Sequence, residues 1–261
     1  MKVLNYGSLN VDYVYQVDHF VQPGETISSK KLSVFCGGKG LNQSTALSRA
    51  GANVFHGGAV GNDSGNILTD HLKENKVNID FVLTKEIQSG HAIIQVQDGG
   101  ENNILLFGGA NQEITCEDIL HTLEHFDVGD FIILQNEISN LPYVMEEAHK
   151  KGMIIVLNPS PMDEKISMLP LEYVNYFILN EVEAYALCHE TDVDKQMMAL
   201  KNQFDNANIV LTLGSQGVVY SGSEGEYRQG IYKANVVDTT AAGDTFTGYF
   251  IAMIAEGKGV E

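Results

Sequence analysis

Four short apolar runs follow one another in the middle of the chain, each separated from the next by a more polar segment. They are FIILQ (131–135), MIIVL (153–157), YFIL (176–179) and IVLTL (209–213), and two similar runs, VLNY (3–6) and VFHG (54–57), lie nearer the start. Continuous apolar runs of this length are typical of strands that are buried on both faces. Because segments with helical spacing lie between them, the sequence predicts an α/β fold: a three-layer, doubly wound, mostly parallel sheet with helices on both faces.

Helical spacing is clearest in two segments. In the first, a helix behind a Ser64 cap would place four side chains on one face: Ile67, Leu68, His71 and Leu72. In the second, near the end of the chain, an apolar stripe is predicted from Phe246, Phe250, Met253, Ile254 and Gly257. The apolar faces of these two helices are expected to pack against the sheet.

Two stretches, 11–36 and 89–108, lack helical spacing and indicate alternating strands, with a hairpin turn at Asp98-Gly99-Gly100. They could form one small accessory sheet, which would act as a lid. Alternatively, they could add edge strands to the main sheet. With no internal repeat or linker, residues 1–261 are predicted to form a single domain that carries these two insertions.

The composition is that of a globular and strongly acidic protein. The 261 residues include 16 Lys plus Arg and 34 Asp plus Glu, a formal net charge of −18, and 44% of them are hydrophobic. Such a chain repels nucleic acid and anionic lipid surfaces, so we expect neither as a partner. A phosphate-bearing ligand would need local amides, a Lys or a metal ion to overcome the repulsion from this negative charge.

Cysteine content and apolar run length point to the cytoplasm. Cys36, Cys116 and Cys188 lie far apart and form no C-x-x-C pair, which argues against a disulfide framework and a cysteine-built zinc site. The start of the chain lacks the apolar run of a signal peptide, and the apolar runs are too short to span a membrane.

Several common site motifs do not occur in this sequence. There is no G-x-G-x-x-G, no G-x-x-x-x-G-K-[ST] and no G-x-S-x-G. The segment 121–125, HTLEH, matches the zinc-hydrolase pattern H-x-x-E-H, but its acid-rich surroundings favour a solvated face of an outer helix.

The first segment that carries chemistry is GGKGLNQ (37–43), which leads into a predicted helix. Glycines before a helix let a ligand approach the backbone amides at its positive end. Lys39 and Asn42 add donors that suit hydroxyl groups. A purely structural glycine turn is the alternative interpretation.

The second is VDTTAAGDTF (237–246), directly before the final helix. The small residues 241–243 leave the amides at the helix start open, which makes an anion hole. Asp244 could accept a proton from an attacking hydroxyl, and phosphate donors beside a base are what phosphoryl transfer requires. Alternatively, Asp244 only neutralises the helix dipole.

Taken together, these segments resemble the ribokinase-like (PfkB) carbohydrate kinase family. The stretch from Gly37 to Asp63 is similar to the family's first signature, and the stretch from Asp238 to Gly248 is similar to the second. Shorter segments occur in the family's order over essentially the whole chain: 7–12, 23–26, 109–111, 157–159, 180–183 and 212–217.

The resemblance implies a role for particular residues. The sugar hydroxyls would be bound by Asn10, Asp12, Gly38, Lys39, Asn42 and Glu137, and also by Asp244. Asp244 would be the catalytic base, beside an anion hole at Ala241, Ala242 and Gly243. ATP would contact Asn180, Thr212, Gly214, Ser215 and Gly217, as well as Gly243. Mg²⁺ would be held near Asn180 by Glu183 through water, and a monovalent cation, K⁺, by Asp238 and Thr240.

The activity that the resemblance implies is ATP-dependent phosphorylation of the primary hydroxyl of a sugar, D-ribose first. The alternatives are a kinase for another pentose, a fructose-type sugar or a nucleoside, and a non-catalytic sugar-binding relative. A homodimer through the lid is also implied. Family members continue past the final helix with a segment that completes the adenine pocket and the cation site, and we expect this chain to lack it.

Overall fold

A nine-stranded sheet forms the middle layer of the computed structural model, which describes residues 1–233, 235 and 239–260. Its strands in chain order are β1 (Val3–Tyr6), β4 (Val54–Gly61), β5 (Asn78–Lys85), β8 (Phe131–Gln135), β9 (Ile154–Asn158), β10 (Tyr176–Asn180), β11 (Asn208–Thr212), β12 (Val218–Gly222) and β13 (Gly225–Gln229). Their order across the sheet is β13-β12-β11-β10-β9-β8-β1-β4-β5. The strands from β5 to β11 pair in parallel, and β12 and β13 add an antiparallel hairpin at one edge.

Both faces of this sheet are buried, as the apolar runs predict. In β8, Ile132 and Leu134 pack into one hydrophobic core, whereas Phe131 and Ile133 pack into the other. Alternate residues of a strand point to opposite faces, so a strand covered on both sides has to be apolar throughout.

Helices cover each face of the sheet. On one side lie α1 (Lys39–Arg49), α2 (Gly65–Glu74) and α7 (Ala242–Ala255); on the other lie α3 (Cys116–Leu123), α4 (Leu141–Lys150), α5 (Glu181–Cys188) and α6 (Val193–Gln203). The predicted doubly wound α/β fold is therefore confirmed. Within the described part of the chain, no helix combines the length and apolar character needed to cross a membrane.

The predicted helix faces are only partly right. In α2, Leu68 and Leu72 are buried, but Ile67 is 42% exposed, and the Ser64 side chain makes no capping bond. In α7, the predicted apolar stripe is not the fully buried face, which carries Thr247, Gly248, Ile251 and Ala252. Four residues of the stripe, Phe246, Phe250, Met253 and Ile254, are partly buried and pack against the core, and Gly257 follows the end of the helix. Small residues face α1 because the two helices approach closely there. The spacing of large apolar residues cannot reveal such a contact.

The remaining four strands form a separate small sheet instead of extending the edge of the large one. They are β2 (Asn10–Val17), β3 (Lys31–Gly37), β6 (Gly90–Gln97) and β7 (Asn102–Phe107), in the order β3-β2-β6-β7. They coincide with the two stretches that lack helical spacing. Strands β2 and β6 pair in parallel and start beside each other, with Asn10 opposite Gly90.

Candidate active site

A cavity of about 240 Å³ opens where the parallel strands of the large sheet end. Three neighbouring strands, β9, β10 and β11, finish in the polar residues Asn158, Asn180 and Thr212, and all three line this cavity. The carboxyl ends of parallel strands are where open α/β sheets bind ligands. The opposite wall is the start of α7 from Ala241 to Asp244, together with Lys39.

The start of α7 is shaped by an unusual backbone. Ala241 adopts left-handed angles (φ 56°), and its carbonyl accepts the N–H of Thr245 at 2.9 Å. The N–H of Ala242 donates to the carbonyl of Thr239 at 3.1 Å, so Ala242 can join the predicted anion hole only if that bond opens. A Cβ on Gly243 would meet nothing within 4 Å, which leaves open space for a ligand beside this residue.

Asp244 lies in the first turn of α7 and is only 8% exposed. Its Oδ1 accepts a hydrogen bond from Gln43 Nε2 at 2.9 Å, and its Oδ2 accepts one from Asn42 Nδ2 at 3.2 Å. Burial raises the pKa of this carboxyl above its ordinary value, and the charge of Lys39 and the two amides oppose that rise. A buried carboxylate with a raised pKa is suited to accept a proton.

The residues predicted to bind sugar gather at the base of the small sheet. Burial, and then the charge of Glu137, raise the pKa of Asp12 to about 6. Asn10 Oδ1 accepts a hydrogen bond from Asn111 Nδ2 at 2.8 Å. A Cβ on Gly37 would lie 2.1 Å from Asp12 Oδ2, so the glycine at 37 makes room for this carboxylate.

Glu137 links these residues to the rest of the site. Its Oε2 accepts the hydroxyl of Ser8 and the backbone N–H of Lys39, the latter at 3.2 Å. Burial raises its pKa, and the Asp244 charge contributes in the same direction. The structure thus brings the predicted sugar ligands and the predicted base into one electrostatic cluster.

Asn180 and Glu183 form a reciprocal cap at the start of α5. The Asn180 side chain accepts the N–H groups of Val182 and Glu183, and the Glu183 carboxylate accepts the N–H of Asn180 at 3.0 Å. This is a capping box, which satisfies amides at the helix start. Glu183 also lines the cavity, and burial raises its pKa.

The predicted nucleotide loop lies at the edge of this cavity. Thr212 lines it, and its hydroxyl donates to the carbonyl of Leu179 at 3.3 Å, whereas Gly214, Ser215 and Gly217 lie outside the lining. Gly217 has a φ of 102°, and a Cβ there would lie 1.9 Å from the Gln229 carbonyl, so the turn requires glycine.

Sequence reasoning assigned no role to Gln43 and Asn158, although both contact residues of the site. Gln43 Nε2 contacts both Asp244 Oδ1 and Asn158 Oδ1, the latter at 3.3 Å. Both residues lie within segments quoted above, 37–43 and 157–159. Gln43 follows a glycine turn and Asn158 ends a buried strand, and these positions could have indicated that both belong to the site.

The H-x-x-E-H segment shows no sign of a metal site. Helix α3 ends at Leu123, and His125 Nδ1 lies 3.0 Å from the carbonyl of His121. No group of three or more His, Cys, Asp or Glu side chains that could hold a metal ion occurs among the residues that the structure describes.

Comparison with known proteins identifies the family. The model of the pfkB family carbohydrate kinases matches residues 1–261. Ribokinase of Staphylococcus aureus is 32% identical over 97% of this chain and 86% of its own length, and ribokinase of Bacillus subtilis is 34% identical over 98% and 86%. The structure of Arabidopsis thaliana ribokinase complexed with ribose and ATP superposes with a TM-score of 0.86 at 28% identity, over 99% of this chain and 87% of that one.

This chain therefore belongs to the pfkB family of carbohydrate kinases. It is a sugar kinase, a phosphotransferase, as the resemblance implied.

The raised pKa of Asp12 leads to a prediction about stability. A carboxyl whose pKa is near 6 in the folded protein, against an ordinary value of 3.8, binds its proton more tightly when folded. Its stabilising contribution is therefore present below pH 3.8 and is lost as the pH rises through 6. At pH 8, Asp12→Asn should raise the free energy of unfolding by roughly 1 kcal/mol, or the melting temperature by about 2–4 °C, because solvent screens part of the effect.

Thermal melts between pH 4 and pH 8 test this, and the gain should shrink toward the acidic end. Glu101→Gln is the control, because it removes an exposed carboxylate beside the same small sheet. An equal gain in both variants would attribute the effect to the net charge and not to burial of Asp12.

Proposed function

We propose that this chain transfers the γ-phosphate of ATP to the primary hydroxyl of D-ribose, which gives ribose 5-phosphate. The observation that carries the proposal is the position of Asp244, which is buried, lines the cavity at the strand ends and interacts electrostatically with Glu137. A base that lines a polar cavity beside hydroxyl-binding carboxylates is suited to an alcohol as acceptor. The named ribokinases among the relatives support ribose over other sugars.

Sugar recognition is assigned to Asn10, Asp12, Gly38, Lys39, Asn42 and Glu137. Ionised carboxylates accept strong hydrogen bonds from hydroxyl groups, and neighbouring hydroxyls of a sugar can share one carboxylate. Asp12 offers such a carboxylate at the base of the small sheet. Lys39 lies between this pocket and the cavity, where its charge can attract an anionic phosphate.

In the proposed reaction, the oxygen of the sugar hydroxyl attacks the γ-phosphorus, and Asp244 takes the proton of that hydroxyl. The bond between the γ-phosphorus and the bridging oxygen breaks, and that oxygen leaves with ADP. Charge on the transferring group is stabilised by Lys39 and by the amide of Gly243, with Ala241 and Ala242 shaping the turn. ATP is assigned to Asn180, Thr212, Gly214, Ser215 and Gly217, and also to Gly243.

The donor set in the cavity fits Mg²⁺ bound mainly by phosphate and water. Mg²⁺ in phosphoryl-transfer sites keeps several waters and uses one or two carboxylates. Glu183, next to Asn180, offers one carboxylate in the wall of the cavity. When bound, the ion would neutralise charge on the phosphates.

A K⁺ site at Asp238 and Thr240 stays a prediction, because Asp238 lies outside the described residues. A cytoplasmic location also stays a prediction.

The assignment of Asp244 as the base predicts the behaviour of Asp244→Asn. The amide keeps the size of the side chain but cannot accept the proton, so kcat should fall about 100-fold or more while sugar binding is largely kept. Steady-state assays with ATP, Mg²⁺ and a panel of ribose, fructose and a nucleoside measure this. Asp205→Asn, on an exposed turn, is the control. Turnover like that of the parent protein in Asp244→Asn would exclude this role.

The assignment of Asp12 predicts a loss of sugar affinity. Asp12→Ala should weaken ribose binding by about 2–3 kcal/mol, because charge-assisted bonds to hydroxyls are lost, and should leave ATP binding nearly unchanged. Calorimetric titrations with ribose and with a non-hydrolysable ATP analogue separate the two effects. A selective loss of nucleotide affinity would show that the sugar pocket is at the wrong end of the site.

We also propose that two copies of the chain associate through their small sheets. Both faces of this sheet expose large apolar side chains: Leu32, Val34, Ile93, Leu105 and Phe107 share one face, and Phe35, Ile104 and Leu106 lie on the other. Clustered exposed apolar residues mark interaction surfaces, and paired sheets would remove them from water.

Leu105→Asp, at a side chain that is 66% exposed, should convert this dimer to a monomer in sedimentation velocity, because association would bury the new charge. Val128→Asp, at an 81% exposed side chain just before β8, should leave assembly unchanged. A sedimentation coefficient that Leu105→Asp does not alter would contradict this interface.

A further inference from the structure

A chain of buried side-chain amides leads from the interior of the large sheet to Asp244. Asn5 on β1, Gln135 at the end of β8 and Gln43 on α1 are each fully buried. Gln135 Nε2 donates to Asn5 Oδ1 at 2.9 Å and to Gln43 Oε1 at 2.7 Å, and Gln43 Nε2 donates to Asp244 Oδ1 at 2.9 Å. We call these three residues and Asn158 the amide chain.

Backbone carbonyls fix the direction of every bond in the amide chain. A carbonyl only accepts, so Asn5 Nδ2, which lies 2.8 Å from the Gly40 carbonyl, has to be the donor there. Asn5 Oδ1 must then accept from Gln135, and the same –NH₂ group of Gln135 serves the oxygen of Gln43. The –NH₂ group of Gln43 is therefore left to face Asp244.

The second branch gives the same direction independently. Asn158 Nδ2 donates to the Ile178 carbonyl at 2.9 Å, so its Oδ1 accepts and faces Gln43 Nε2 at 3.3 Å. Reversing the Gln43 amide would place its oxygen against both Asn158 Oδ1 and Asp244 Oδ1. Buried acceptors that face each other without a proton are strongly unfavourable. Two separate carbonyls thus hold Gln43 in its donating orientation.

We propose that Gln43 is a positioning residue, held by Gln135 and Asn158, which keeps the Asp244 carboxylate ionised and presents its Oδ2 to the sugar hydroxyl. Oδ1 is committed to the shorter bond from Gln43, whereas Oδ2 takes, among the residues that the structure describes, only the longer contact from Asn42. An anion that receives a fixed N–H is favoured over its protonated form. The inference rests on the proposed role of Asp244 as the base.

The charged groups around Asp244 make such support necessary. Lys39 on α1 favours the ionised carboxylate, but Glu137 after β8 and Glu183 on α5 interact unfavourably with it. Burial of Asp244 in the first turn of α7 also disfavours its ionised form and raises its pKa. The hydrogen bonds from the neutral side chains of Gln43 and Asn42 oppose this rise in the pKa of Asp244.

The test is Gln43→Met, which keeps the length of the side chain and removes its amide, both the C=O and the –NH₂. We expect kcat near neutral pH to fall about tenfold, less than on loss of the base itself, with KM for ribose within about twofold. The acidic limb of the kcat–pH profile should move to higher pH, because the ionised form of Asp244 has lost a donor.

Gln196→Met is the matched control. Gln196 is also buried, and its amide donates to the carbonyls of Glu181 and Glu190, away from Asp244. It should lower the melting temperature without moving the acidic limb. An unmoved limb in Gln43→Met, with loss of kcat no larger than in the control, would show that Gln43 only fills the core and would overturn the proposal.

Gln43→Glu is the second variant, for the case that Gln43→Met does not fold. Its carboxyl and that of Asp244 would share one proton, because two adjacent buried carboxylates do not both ionise, so the limb should again move to higher pH. An unchanged limb in this variant overturns the proposal as well. Asp244→Asn distinguishes failure of this inference from failure of the proposed function. If Asp244→Asn is inactive while both Gln43 variants behave like the parent protein, only the role of Gln43 is wrong.

Discussion

The contact between α1 and α7 is the constraint on which the site depends. Asp244 at the start of α7 is held by Asn42 and Gln43 of α1, residues about 200 positions away in the chain, so the two helices must lie close together. Gly248 permits this approach, because a Cβ there would lie 2.4 Å from Ala46 Cβ. Interiors are packed densely enough that even one added methyl group would force the helices apart. The position of the base is thus set by a packing contact one helical turn away from it.

The site gathers acidic groups in a protein that is already strongly acidic. Asp12, Glu137, Glu183 and Asp244 all have raised pKa values, with burial as the largest cause in each. Raised values mean that the ionised site opposes folding at neutral pH. Hydrophobic cores on both faces of the nine-stranded sheet offset this cost, so activity and stability are served by separate parts of the molecule.

The sequence was sufficient for features that depend on local pattern. Buried strands such as β1 and β8 were predicted with the bounds that the structure has, because a strand covered on both faces is apolar throughout. The two stretches without helical spacing became the small sheet. The buried face of α7 was mispredicted, because close helix packing selects Gly248 and Ala252 while hydrophobic spacing gives weight to Phe246 and Phe250. The amide chain could not be found either, since Gln135 lies 92 positions from Gln43 and neither residue belongs to a periodic pattern.

The small sheet is attached to the large one at a narrow base. There the Asn111 side chain accepts the N–H of Leu9 and donates to the Leu9 carbonyl and to Asn10, which ties the segment after β7 to the start of β2. Beyond this base, neither hydrophobic core contains any residue between 93 and 107. Substitutions in that part of the small sheet can therefore accumulate without disturbing core packing. The surface of the small sheet can thus diverge while the packing that holds Asp244 against α1 stays the same.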